Sequence, residues 1–288
     1  MPPTCLRSTV YLSLILTIAF GQKSPGGEPR PDWVDPMRLA HARFKGTPGT
    51  LAQFGDSITD SLAYWTPLLY DPKGMSPEMS AARDLVVSHL RKECWRDWKG
   101  RDFGNEGRST IDWADQNIAS WLEKLKPEVA VIMFGTNDMR EGNVDDYERK
   151  LAFVARTCLR KGTVVILTTP PPRSGMVEKS RQFADAVRRV AKDLGTPLID
   201  YQAEVLKRRP DDWDGSLPQF KGAIEEAKGD TYQAPTLIAG DGVHPSNPAK
   251  YGDWSEDSLR HNGYSLRSYL TLMKYAEVLR TVIKPEQK

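Results

Sequence analysis

Cysteine and histidine are scarce in this 288-residue chain, with three of the first and four of the second. No group of them has the close spacing of a zinc site, so a structural metal is not what organises the fold. Cys94 and Cys158 are the two cysteines beyond the N-terminal segment, each on an expected amphipathic helix, either as buried thiols or as one disulfide. Long hydrophobic runs are also missing. The uncharged stretch VYLSLILTIAF, residues 10–20, is too short for a comfortable membrane span. Nor is there an excess of one charge: 40 Lys and Arg face 38 Asp and Glu, and the densest basic block is KRRP at 207–210. That balance argues against steering toward nucleic acid.

What is present begins with the pattern expected of an export signal. Arg7 precedes the apolar run, and Ala19-Phe20-Gly21 follows it with small residues at both positions a signal peptidase inspects. Residues 1–21 are therefore expected to be a signal peptide, with a mature start at Gln22 and a secreted or periplasmic location. Removing Arg7 lowers the formal charge from +2 to about +1. Residues 22–49, rich in Gly, Pro and Arg, read as an N-terminal arm, and 50–288 as one domain. At 39% hydrophobic and 27% charged, the composition is that of a globular chain able to build a core without disulfides.

Within that domain two patterns alternate. TLAQFGD (50–56), VAVIMFG (129–135) and TVVILTTPPP (163–172) are apolar runs closed by glycine or proline, as strands buried on both faces are. RDFGNEG and TPLIDYQ read as shorter strands. Between them lie helical spacings. Residues 77–95 carry Ala81, Leu85, Val86, Leu90 and Cys94 on one expected face. Residues 109–125 carry Ile111, Ala114, Ile118 and Leu122, with Ser109 or Thr110 as cap. Residues 144–162 and 180–195 end on glycine stops, and a last helix runs from about Tyr264 to Ile283. Strands alternating with helices give a three-layer α/β/α sandwich with a mostly parallel central sheet, of flavodoxin-like type. Residues 208–236 are polar and irregular, an insertion at the rim of the expected cleft.

Ligands of open α/β sheets bind beyond the carboxyl ends of the strands. Four segments bring unusual residues there. In DGVHPS (241–246), Asp241 can orient His244 across one turn and leave Nε2 free as a base. Its bland reading is a surface turn. In QFGDSITDS (53–61), Ser57 follows a buried strand and can serve as nucleophile, its own N–H aimed at a developing oxyanion. The bland reading is that Ser57 or Thr59 caps the next helix. Thr59 replaces the final glycine of G-x-S-x-G, so the sharp elbow of that motif is not indicated. In GTND (135–138), Asn137 can offer a side-chain amide, or can be a turn residue. In NEG (105–107), Gly107 can expose a main-chain N–H.

In this order, at these strand ends, the four segments resemble the blocks of the SGNH, or GDSL-type, hydrolases. GDSIT at 55–59 resembles the nucleophile block, NEG the glycine block, GTND the asparagine block and DGVHPS the Asp-x-x-His block. The resemblance covers residues 50 to 283 and departs from the pattern in reading GDSIT where GDSL is usual. It implies Ser57 as nucleophile, His244 as base, Asp241 as its orienter, and the Ser57 and Gly107 N–H groups with Asn137 as oxyanion hole. It requires no metal or organic cofactor.

The resemblance implies an ester substrate, small or polymeric. A short-acyl, O-acetyl ester of a carbohydrate is favoured because no apolar lid helix is evident. Tyr64, Trp65, Trp213, Tyr251 and Trp254 near the expected rim can stack on sugars, or can pack loops against the body. A lysophospholipase or thioesterase of the same fold is the alternative, and a non-catalytic carbohydrate-binding domain on this scaffold is a further one. Ester turnover separates the last from the others. The sequence sets no oligomeric state and no membrane span in the mature chain.

Overall fold

The computed structural model describes residues 30–70 and 73–285. The expected signal peptide, and the arm as far as residue 29, lie outside the described residues. A compact unit begins at Asp32. Its first element, α1 (Val34–His41), falls where the sequence reading places the arm. Val34, Met37 and Ala40, three residues apart, are buried on its inner stripe.

The strands β1 (Leu51–Gly55), β2 (Val129–Met133), β3 (Val164–Thr168) and β4 (Leu198–Ile199) form one parallel sheet in that order. Every residue of the first three is buried. Alternate residues sort by face, as strand geometry demands. Leu51, Val131, Met133 and Ile166 join one core; Ala52, Phe54, Ile132 and Leu167 join the other.

The helices that supply those cores follow along the chain as α2 (Ser57–Asp60), α3 (Pro77–His89), α4 (Glu93–Arg96), α5 (Ile111–Leu125), α6 (Val144–Arg160), α7 (Val177–Leu194), α8 (Tyr201–Arg208), α9 (Lys221–Glu226), α10 (Ser258–His261) and α11 (Gly263–Val278). Helices α5, α6 and α7 pack side by side over one face, and α1, α3 and α11 cover the other. The result is a three-layer α/β/α fold with a parallel central sheet.

Two elements differ from the sequence reading. The helix expected over 77–95 breaks after His89: Leu90 adopts extended backbone, and the Arg91 N–H donates to Gly49 O at 2.8 Å. Its buried face is Met79, Ala82 and Val86, while Ala81 is exposed. The strand expected in RDFGNEG shrinks to a 3-10 turn, Arg101–Phe103, and one parallel bridge between Gly55 and Asn105. That bridge matters. Gly55 pairs with Asn105 on one side and Met133 on the other, so the winding reverses beside the end of β1. A crevice opens at such a point in α/β sheets.

Cys94 and Cys158 are free thiols, one in each core, so no disulfide joins them. Burial pushes both up to about 12, which leaves them inert. Among the described residues no helix is long and apolar enough to cross a membrane.

Candidate active site

The end of β1 turns into α2 without a spacer. A Cβ added at Gly55 would fall 2.1 Å from Thr59 Oγ1 and 2.6 Å from Met133 O, so only glycine permits the turn. Asp56 then caps the helix: its Oδ1 accepts the Ile58 N–H at 3.0 Å. Neither hydroxyl of the segment is needed as a cap. Ser57, the first helical residue, keeps its Oγ available, and that atom lies 3.0 Å from His244 Nε2.

The other ring nitrogen, Nδ1, lies 2.6 Å from Asp241 Oδ2. Asp241 Oδ1 accepts the N–H groups of Val243 and His244 at 2.9 and 3.0 Å, so one carboxylate holds both ring and backbone of the turn. Burial resists ionisation of Asp241, but the bonds from the His244 ring and these two N–H groups outweigh it and keep its carboxyl below the ordinary value. Gly242 adopts a φ of 71°, and a Cβ there would fall 2.5 Å from Ser174 Cβ.

Gly107 reaches the same place through the Asn105 bridge. The Glu106 N–H donates to Gly55 O at 3.3 Å, and a Cβ on Gly107 would stand 4.0 Å from Ser57 Cβ. Asn137 donates one Nδ2 hydrogen to Ser109 O at 3.0 Å, which leaves the second hydrogen of the amide free. Asp138 ties these loops together. Its Oδ1 accepts the Ile111 N–H at 2.9 Å and its Oδ2 the Gly135 N–H at 3.0 Å. The first bond caps α5, so neither Ser109 nor Thr110 does. Burial raises the Asp138 carboxyl to about 6 against those N–H bonds.

The sequence reading missed the support beneath α2. Arg267, on α11, is fully buried; it donates from Nη1 to Ile58 O at 2.8 Å and from Nη2 to Thr59 Oγ1 at 2.9 Å. Its guanidinium carbon sits 3.7 Å from the centre of the Tyr64 ring. Lys99 Nζ donates to Thr59 O at 2.5 Å and to Gln53 Oε1 at 2.9 Å. Two basic side chains thus hold the carboxyl-terminal carbonyls of a one-turn helix, where its dipole favours positive charge. Burial brings Lys99 down to about 7, with the Arg267 charge adding to the effect. Burial likewise raises Asp56 to about 6, partly offset by the Ile58 N–H and by Arg267. A signal for Arg267 did exist: it shares a helical stripe with the buried Tyr264, Thr271 and Tyr275.

The aromatics expected at the rim take the packing role. Tyr64 and Trp65 are fully buried, Trp65 stacking on Trp95 at 5.1 Å. Trp213 and Trp254 are buried, and Tyr251 stacks on His261 at 4.3 Å. The ring that does flank the site is Tyr232, 5.9 Å from the His244 ring and carried by the 208–236 insertion.

Fold and site together define the class, a carboxylic ester hydrolase. Within it, the chain belongs to the GDSL-like lipase/acylhydrolase family, whose profile matches residues 54–249. Its activity is therefore that of an esterase or acylhydrolase. Solved structures similar to it include a lipase/acylhydrolase from Enterococcus faecalis (19% identity, 83% of this chain and 98% of that one, TM-score 0.49). Others are an acetylxylan esterase from Geobacillus stearothermophilus (17%, 83% and 96%, 0.44) and an esterase from Pseudoalteromonas (13%, 81% and 99%, 0.49). No curated protein matches the sequence.

Proposed function

We propose that the chain is a serine esterase working through an acyl-enzyme, with short acyl groups on carbohydrate hydroxyls as its substrates. The observation that carries the mechanism is the hydrogen-bonded line from Ser57 Oγ to His244 Nε2 and from Nδ1 to Asp241 Oδ2, at 3.0 and 2.6 Å. His244 takes the Ser57 proton as Oγ attacks the ester carbonyl. The oxyanion meets the N–H groups of Ser57 and Gly107, which no other described residue engages, and the free amide hydrogen of Asn137. His244 returns the proton to the departing alcohol, and water then releases the acyl group by the same route. Asp241 keeps the ring in the required tautomer and supports its charged form.

The polar surroundings support a hydrated leaving group. Ser174 Oγ meets Ser216 Oγ at 2.9 Å beside the Gly242 turn, and Tyr232 flanks the base. On p-nitrophenyl esters, kcat/KM is expected to fall steeply from acetate to octanoate, with turnover abolished by Ser57→Ala. Faster octanoate turnover would replace the short-acyl reading with a lipase-like one. Export belongs to the same proposal. The mass of protein recovered outside the cytoplasm should match a chain starting near Gln22, and a mass that retains residues 1–21 would refute cleavage.

A further inference from the structure

Three of the loops around the Ser57–His244 pair carry an arginine. Arg108 lies between Gly107, beside Ser57, and Ser109, whose carbonyl holds Asn137. Its backbone has a φ of 67°, a left-handed conformation that a side-chain-bearing residue adopts at a cost. Arg140 closes the turn that Asn137 opens, its N–H donating to Asn137 O at 3.1 Å. Both side chains are exposed, and neither meets a carboxylate among the described residues.

The third, Arg173, is 8% exposed. Its Nη1 donates to Thr136 O at 2.6 Å, next to Asn137, and the following Ser174 N–H donates to Gly242 O at 2.9 Å, inside the Asp241–His244 turn. It is therefore wedged between the asparagine loop and the histidine loop. Nε and Nη2 have no protein acceptor among the described residues. Buried Arg267 bonds through both Nη atoms and stacks on Tyr64, leaving only Nε without an acceptor. Burial presses the Arg173 guanidinium down, the Arg140 charge adds to this, and Asp241 opposes it, so both charges lie within its electrostatic reach. Lys179 adds a fourth cation, its Nζ 3.5 Å from Arg140 O.

Most acids of this arc are already committed. Glu106 pairs with Arg101, Asp112 with Lys150 and Asp241 with His244, while buried Asp138 accepts two backbone N–H groups. Exposed Glu141 alone follows Arg140 without a described partner. A nearly buried arginine whose Nε and Nη2 have no protein acceptor, within electrostatic reach of the unpaired Arg140, has the chemistry of an oxyanion receptor. With the rim tryptophans turned inward, Tyr232 is the ring left beside the base, and the arginines add charge to the recognition available.

We propose that the alcohol portion of the substrate carries an anionic group, a sugar carboxylate or sulfate, which Arg108, Arg140 and Arg173 receive beside the scissile ester. This rests on the esterase reading above. The test compares methyl 2-O-acetyl galactoside with its uronate and its 6-sulfate, alongside p-nitrophenyl acetate. The carboxylated or sulfated ester should show a kcat/KM roughly tenfold or more above the neutral sugar ester, and added salt should erode the difference. A uronate preference identifies an acidic sugar and a 6-sulfate preference a sulfated one; either supports the receptor. The paired variant Arg108→Gln/Arg140→Gln, at exposed positions where folding is not at stake, should lower the anionic-to-neutral ratio several-fold. Arg173→Gln should lower it further, and Arg173→Lys less. Arg156→Gln, an exposed change on α6, should leave the ratio as it is. Equal rates on neutral and anionic sugars, or a ratio indifferent to the arginine variants, overturns the inference while leaving the esterase intact. Undiminished p-nitrophenyl acetate turnover in Ser57→Ala overturns instead the Ser57 acyl-enzyme mechanism on which the inference rests.

Discussion

On the proposed mechanism Ser57 and His244, 3.0 Å apart, share one proton, so their contributions to rate should not add. Ser57→Ala, His244→Ala and the double variant are each expected to fall to a similar residual kcat/KM, because nucleophile and base serve one step. Asp241→Asn should be milder, since Nε2 survives with weaker support. Additive losses in a double-mutant cycle would mean the two side chains act independently. Asn137→Ala should lose roughly 10²–10³-fold in kcat with KM little changed, because its amide acts on charge present only in the transition state. A drop in melting temperature with kcat intact would instead make it a turn residue held by Ser109. At this scale the Asp241–His244 contact was legible because its partners stand three residues apart in one turn. Arg173 and Tyr232 were not, because what they touch lies in other loops: Thr136 for the arginine, the His244 ring for the tyrosine.

The element that holds the proposed nucleophile, α2, is four residues long and cannot be stable alone. Its anchors are Arg267 and Lys99. Arg267→Met leaves Ile58 O and Thr59 Oγ1 without their donors, a cost of about 1–3 kcal/mol for each. It should lower kcat on p-nitrophenyl acetate, and the rate of phosphonylation at Ser57, by more than it changes KM. Arg267→Lys should recover part of the loss. A lower melting temperature with both rates unaltered would show that α2 is held by other means. Strands and long helices were readable from their periods, down to the inner face of α5. Caps were less so. Ser109 and Thr110 satisfy the local rule for α5, yet Asp138 arrives from another loop and takes the bond. The break after His89 is likewise set by a distant carbonyl, that of Gly49.

On the scale of the whole molecule, the end of the sheet opposite the active site carries a clasp. Glu128, almost fully buried, faces His41 Nε2 at 3.1 Å and His89 Nε2 at 2.8 Å, and accepts the Gly49 N–H at 2.7 Å. Burial alone would raise its carboxyl, but these three partners hold it down at about 2. A folded-state value below the unfolded one stabilises at all pH above the unfolded value and is lost as pH falls toward the folded one. Urea unfolding of the wild type should therefore weaken between about pH 4.5 and 2 more steeply than that of Glu128→Gln, the two converging at the acid end. Parallel curves would remove Glu128 from the acid response. The grip of Arg267 on α2 has a different consequence, in time rather than in space. Ser57 is made early, but its base follows 187 residues later and the arginine beneath it 209 later than Ile58. A chain emerging from the ribosome thus carries its reactive hydroxyl for most of synthesis with nothing to activate it. On the proposed mechanism, hydrolytic competence therefore waits for α11, and a chain truncated before it should hydrolyse no p-nitrophenyl acetate.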